Sequence, residues 1–168
     1  MTTPKLQAGD RFPALRVRDA SGAVRDLSRP TGGKDWMMVV VYRGRHCPLC
    51  TRYLTALEPL VAELAEIGVD VAAVSADSAE QLARHREKLD VTFPLFHSLS
   101  VEQMRSLGLY LSDPRSPKET DHVFAEPGLF VVNGEGTLQV VDISNNPFVR
   151  PELKTLVSGL CWIRDPAN

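Results

Sequence analysis

Cys47 and Cys50 stand three residues apart in the stretch VYRGRHCPLCTRYL, Val41 to Leu54, just behind the basic residues Arg43, Arg45 and His46. Two thiols at that spacing can close a disulfide, share a metal ion or simply fill a core. Redox exchange requires one of them to ionise near neutrality, because the thiolate is the nucleophile. The surrounding residues favour that outcome. An apolar strand ends just before Cys47 and a helix begins there, and a helix N-terminus offers free N–H groups and a partial positive charge. Arg43, Arg45 and His46 add cationic character, and Pro48 suits the first turn of a helix. The expectation is a division of labour: Cys47 attacks from an exposed helix tip, and Cys50, one turn along and less exposed, resolves the mixed disulfide. Packing alone needs neither the helix start nor the basic flank. A structural zinc site uses four ligands in paired clusters, whereas the third cysteine, Cys161, is isolated and no second Cys pair exists. Cys161 is therefore expected to be a buried, inert thiol. A soft cation such as Cu(I) on Cys47, Cys50 and a histidine stays open as an alternative.

The elements that would position the pair follow from hydrophobic periodicity. WMMVVVYR, Trp36 to Arg43, is an unbroken apolar run, the pattern of a strand buried on both faces. Leu54, Leu57, Leu60, Val61, Leu64 and Ile67 then recur at three and four, which predicts an amphipathic helix, kinked at Pro59 and ended by Gly68. VDVAAVS, Val69 to Ser75, is a second buried strand, parallel to the first in a βαβ unit. Asp77 and Ser78 precede a helix to about Leu89, and TFPLFHS is a short extended piece. A short helix that Ser100 can cap comes next. SDPRSPKETDHVFAE, Ser112 to Glu126, predicts an irregular polar insertion. GLFVVNGEGTLQVVDI predicts two strands joined at NGEG, and a last helix is expected from about Pro151 to Ile163. ALRVRDASGAVRDLS predicts an N-terminal hairpin turning at Ser21-Gly22. Together these give one α/β domain over residues 1–168, with a central mixed sheet, helices on both faces and no internal boundary.

The chain has 168 residues, a formal charge of −2, 43% hydrophobic and 24% charged residues. That is ordinary globular composition, without the basic excess of a nucleic-acid binder. The start, MTTPKLQAGDRF, has no apolar core of a signal peptide, and no run is long enough to span a membrane, so the expected location is cytoplasmic.

YRGRHCPLC behind an apolar strand resembles the peroxiredoxin-like branch of the thioredoxin superfamily, the alkyl hydroperoxide reductase/thiol-specific antioxidant (redoxin) group. AGDRFPALRVRDASG, VSADSAEQLARHREKLDVTFPLFHSLS and EPGLFVVNGEGTLQ resemble further segments of that family, in its order and spacing. The resemblance implies a thioredoxin-like fold with Cys47 as the reactive thiol. It also implies that Pro127, ahead of the third core strand, is cis and faces the dithiol, where its backbone edge can pair with an extended substrate. Two family features are replaced. The positions of its Pro-x-x-x-Thr-x-x-Cys motif fall on Val40 and Gly44, and no arginine stands just before LFVV, so preorganised binding of peroxide oxygens lacks its usual groups. His46 stands where the related branch usually has Trp.

The reading is a peroxiredoxin-like thiol–disulfide oxidoreductase and antioxidant. Cys47 attacks a disulfide, sulfenic acid or hydroperoxide, Cys50 closes the disulfide, and a thioredoxin- or glutathione-type reductant restores it. Arg43, Arg45, His46, Pro48 and Pro127 are the candidate binding or activating residues. No cofactor is required, because the cysteines carry the electrons. Related domains often form homodimers. A peroxidase with Cys47 as the peroxidatic residue and a copper-binding module are the alternatives.

Overall fold

The computed structural model describes residues 4–168. Its centre is a five-stranded mixed sheet. The strands are β3 (Trp36–Val41), β4 (Val69–Val74), β5 (Leu95–Phe96), β8 (Gly128–Val132) and β9 (Leu138–Ile143), in the order β5-β4-β3-β8-β9. β3 is parallel to β4 and antiparallel to β8, and β9 runs antiparallel to β8. Every residue of β3 and β4 is buried, as the unbroken apolar run of β3 requires; the one charge in β4, Asp70, is paired with Arg25 at 2.9 Å. The N-terminal hairpin, β1 (Arg16–Arg18) with β2 (Val24–Asp26), lies outside this sheet.

Alternation along β3 divides the core into two layers. Met38 and Val40 face Leu54 and Leu57 of α1 (Pro48–Leu57), Leu64 of α2 (Val61–Glu66), Leu82 of α3 (Ala79–Arg86) and Leu160 of α5 (Leu153–Arg164). Met37, Val39 and Val41 face Val17 of the hairpin and Met104 of α4 (Val101–Ser106). Cys47 and Cys50 belong to the first layer.

The punctuation residues act largely as their chemistry demands. α1 stops at Leu57, and Glu58–Leu60 make one tight 3-10 turn around Pro59 before α2 resumes. Gly68 ends α2 at φ +79°, and a Cβ there would lie 2.7 Å from Asp35 Oδ1. Ser78 and Ser100 each form a full capping box, with Gln81 and Gln103. Three boundaries differ from expectation. α3 ends at Arg86 rather than near Leu89. The polar insertion is mostly irregular, but its two ends pair as β6 (Leu111–Ser112) and β7 (Phe124–Ala125). Pro151 precedes α5 instead of opening it: Glu152 is the N-cap, its carboxylate accepting from the Thr155 N–H, while the Pro151 carbonyl accepts from the Tyr53 hydroxyl at 2.7 Å. No helix among the described residues is long and apolar enough to cross a membrane.

Leu54 is fully buried between β3 and the helical layer, one turn beyond Cys50. Leu54→Ala is expected to lower stability by about 2–5 kcal/mol, measured by urea denaturation, because the transfer and cavity costs add.

Candidate active site

β3 delivers the chain to the start of α1 through Tyr42, Arg43 and Gly44. The Tyr42 N–H donates to the Val74 carbonyl at 3.1 Å, so the strand pairing persists to the edge of the turn. Gly44 then adopts φ +142°, and a Cβ there would sit 2.6 Å from Asp77 Oδ1 and 3.1 Å from His46 Nδ1. A side chain is excluded on both counts. The absence of threonine at this position is thus built into the turn, because Asp77 occupies the space. Asp77 Oδ2 in turn accepts the Arg45 N–H at 2.7 Å, which locks the bend.

Cys47 is the N-cap of α1, with Pro48 at the first helical position. Its Sγ takes the part usually played by a serine or aspartate oxygen, accepting the Cys50 N–H at 3.2 Å. The Cys50 thiol donates to the same sulfur, and Arg43 lies against it. These contacts, led by the Cys50 thiol, outweigh burial and lower the Cys47 pKa from 9.0 to about 6. Cys50 moves the other way. Burial first, and then its hydrogen bond to Cys47, push its thiol well above the ordinary range, while Arg150 opposes the rise. Arg150 Nη2 lies 2.9 Å from Cys50 Sγ.

The tip of the helix is not exposed as expected. Cys47 retains 1% of its accessible surface and Cys50 none. The burial is polar as well as apolar, since each sulfur has its own guanidinium. Arg43 is held in place by Glu126, Nε to Oε1 at 3.0 Å, an approach too oblique for a hydrogen bond and sustained by charge. It also lies 4.8 Å over the Phe124 ring. Glu126 is itself buried and accepts the Ser112 hydroxyl at 2.7 Å. Arg150 donates to the Pro147 carbonyl and lies 4.9 Å over the Tyr53 ring.

The other candidate residues divide. His46 packs its edge on Phe124 at 4.5 Å, and neither ring nitrogen has a partner. Burial and then the neighbouring Arg43 lower its pKa to about 4, so it is neutral at pH 7 and adds no cationic character. Arg45 is exposed, and its side chain lines a cavity with Thr51 and His85. Arg43, not Arg45, is the guanidinium on Cys47. The cis bond expected at Pro127 is absent: no peptide bond among the described residues is cis. The chain runs extended from β7 into β8, and the trans isomer, intrinsically favoured by about 0.5–1 kcal/mol, accommodates that path with the Glu126 N–H on the Tyr110 carbonyl. Pro127 does line a small cleft with Tyr53 and Arg150. His97 and His122 bond elsewhere, to Ser98 and to Asp77. Cys161 is partly exposed rather than buried, in a cleft with Glu66 and Gly68. No group of three or more His, Cys, Asp or Glu among the described residues is arranged to hold a metal, so the copper reading lacks a third donor.

The sequence marks neither Arg150 nor Glu126 as part of the site. Arg150 is 100 residues from the sulfur it contacts, in NNPFVRPEL, and no local pattern marks it.

Comparison with known proteins bears on this arrangement. The family model described as "AhpC/TSA family" matches residues 8–141. A Mycobacterium tuberculosis relative provisionally named a peroxiredoxin is 28% identical over 138 residues, 82% of this chain and 85% of that protein. Peroxiredoxin Bcp of Escherichia coli is 26% identical over 136 residues, 81% of this chain and 85% of that protein. Among solved structures, a peroxiredoxin-like protein from Aquifex aeolicus superposes with a TM-score of 0.77 at 19% identity, covering 96% of this chain and 90% of the other. The thioredoxin-like fold is thereby established.

Alkylation of the reduced protein, followed against pH, is expected to show a Cys47 midpoint near 6. Arg43→Gln raises that midpoint and slows alkylation at pH 6.5 about threefold to tenfold. The same depressed pKa links folding to pH. Its stabilisation is complete above the unfolded thiol's value, about 8.5, and is lost as pH falls through about 6. The stability difference between the reduced wild type and Cys47→Ser, measured by denaturant titration, therefore grows from pH 6 to about pH 9.

Proposed function

The chain belongs to the AhpC/TSA family, and on that premise we propose that it is a peroxiredoxin-like, thiol-dependent oxidoreductase that cycles Cys47 and Cys50 between dithiol and disulfide. One observation carries the reading: the Cys47 sulfur accepts the Cys50 N–H at the helix start with Arg43 beside it, so that it is ionised at pH 7.

With a hydroperoxide, the Cys47 thiolate attacks one peroxide oxygen and the O–O bond breaks. The other oxygen leaves with the electron pair and takes a proton as alcohol or water, and Cys47 becomes a sulfenic acid. Cys50 then attacks the Cys47 sulfur, hydroxide leaves and is protonated to water, and the Cys47–Cys50 disulfide forms. With a disulfide substrate, Cys47 displaces one thiolate, and Cys50 displaces the other by the same attack. In either case the Cys50 proton has to leave before its sulfur can attack. Arg150, 2.9 Å from that sulfur, offsets the charge that develops there. Glu126 aims Arg43 at Cys47, and Pro48 lets the helix begin without a wasted donor. Two external thiols, from a thioredoxin-type dithiol or a small thiol, restore the pair.

Disulfide exchange remains a second reading because of Gly44, which has no room for a hydroxyl that could hold a peroxide oxygen. Arg43 is then the cation left to steady the breaking O–O bond.

Hydrogen peroxide consumption coupled to a thioredoxin system, run beside reduction of insulin disulfides, separates the two oxidants. Cys47→Ser is expected to abolish both activities; any retained turnover overturns the assignment of the nucleophile. Cys50→Ser keeps one turnover and stops at the Cys47 sulfenic acid, visible as a mass gain of one oxygen. Arg150→Gln slows disulfide closure about tenfold, read by quenched-flow thiol counting, while sulfenic acid formation is little changed.

A further inference from the structure

A cavity of about 800 Å³ opens beside the first turn of α1, lined by His46 and Thr51, the residues immediately before Cys47 and one turn after it. Its walls come from α3 and the polar insertion and are rich in cations: Arg45, Arg84, Lys88, Arg115 and Lys118. Of the three acidic residues on the same walls, Asp77 and Glu119 are committed to other partners, and Glu87 alone has no ion-pair partner among the described residues. Asp77 accepts the Arg45 N–H and bonds His122, and Glu119 pairs with Arg115 at 2.8 Å. Arg84 pairs with Glu80. Among the described residues, Arg45, Lys88 and Lys118 have no carboxylate at ion-pair distance. Three unpaired cations around one concave space attract an anion.

The inner wall adds hydrogen-bonding capacity without charge. His85 is buried, its Nε2 bonded to the Thr51 hydroxyl at 2.8 Å and its Nδ1 without a partner. Both His46 nitrogens also lack partners. Burial keeps both rings neutral at pH 7. Cys47 does not itself line the cavity. Its immediate neighbour His46 does, and that ring is held by packing on Phe124 rather than by a hydrogen bond. The cavity suits a small molecule, being within the roughly 300–1,000 Å³ typical of ligand sites.

We propose that this cavity seats a carboxylate-bearing low-molecular-weight thiol, held by Arg45, Lys88 and Lys118, that reduces the Cys47–Cys50 disulfide. The inference rests on the dithiol cycle above. Small hydroperoxides carry no charge that would use these cations, whereas a carboxylated thiol is oriented by them with its sulfur free. The ligand thiolate attacks Cys47 Sγ, the Cys47–Cys50 bond breaks, and Cys50 leaves with the electron pair beside Arg150 and takes up a proton. A ligand–Cys47 mixed disulfide results. A second thiolate attacks the ligand sulfur of that mixed disulfide, Cys47 leaves as the thiolate, and the ligand departs as its symmetrical disulfide. Two thiols thereby supply the two electrons.

Two measurements test this. First, the peroxide-oxidised protein is reduced with glutathione or with its diethyl ester, whose carboxylates are masked, and free thiols are counted over time. Glutathione is expected to act about tenfold faster after correction for the two thiols' own pKa values, and the ratio falls toward one in Lys88→Gln/Lys118→Gln and in high salt. Equal corrected rates in the wild type overturn the proposal. Second, the redox-inert S-methylglutathione is titrated into the reduced protein by NMR, with binding expected at residues of this cavity and weakened at least severalfold in the double variant. Absence of binding there also overturns the proposal. Binding without any Cys47–Cys50 disulfide after peroxide treatment upholds the site and refutes the catalytic cycle.

Discussion

The arrangement depends on a buried sulfur taking the place of a helix cap. A helix start leaves N–H groups without partners, and burial makes each such group costly. In this chain the Cys50 N–H finds the Cys47 sulfur, and that sulfur is a better acceptor as a thiolate. Structural demand and chemical reactivity are therefore met by the same contact. The helix is completed by ionising its cap, and the thiolate is stabilised by completing the helix.

Two cysteines three residues apart would behave alike in water. The fold makes them unequal by giving each a different neighbour. Cys47 receives hydrogen bonds from Cys50 and the charge of Arg43, whereas Cys50 gives its hydrogen bond away and is more deeply buried. The two thiols are thus pushed in opposite directions, the condition under which one serves as nucleophile and the other as resolving group. Glu126 supports this inequality from a distance: its buried carboxylate balances Arg43 and is itself held by Ser112. Without that balance, a guanidinium close to neutral His46 and Phe124 would carry a larger desolvation cost.

The turn at Gly44 bears on how far the chemistry matches that of the wider family. Asp77, from the loop after β4, fills the space a side chain would need and holds the backbone of Arg45. The chain therefore has a rigid bend where a peroxide-binding hydroxyl would otherwise stand. The same Asp77 anchors one wall of the basic cavity through His122. One carboxylate thus contributes both to the shape of the reactive turn and to the space beside it.

The unbroken apolar run of β3, the recurrence of leucines through α1 and α2, the break at Pro59, the serine caps and the hairpin turns were all legible in the sequence. Each depends on interactions between residues close in the chain, and such patterns survive without knowledge of the fold. The dithiol and its place at a helix start were legible for the same reason. What only tertiary structure decided was the environment of the two sulfurs. Arg150 reaches Cys50 across 100 residues, Glu126 selects Arg43 over Arg45 as the cation on Cys47, and the core closes over a helix tip expected to be open. His46 appeared basic beside two arginines, yet burial holds it neutral. Electrostatics in a protein depend on distance and desolvation, and neither is encoded by adjacency in the chain.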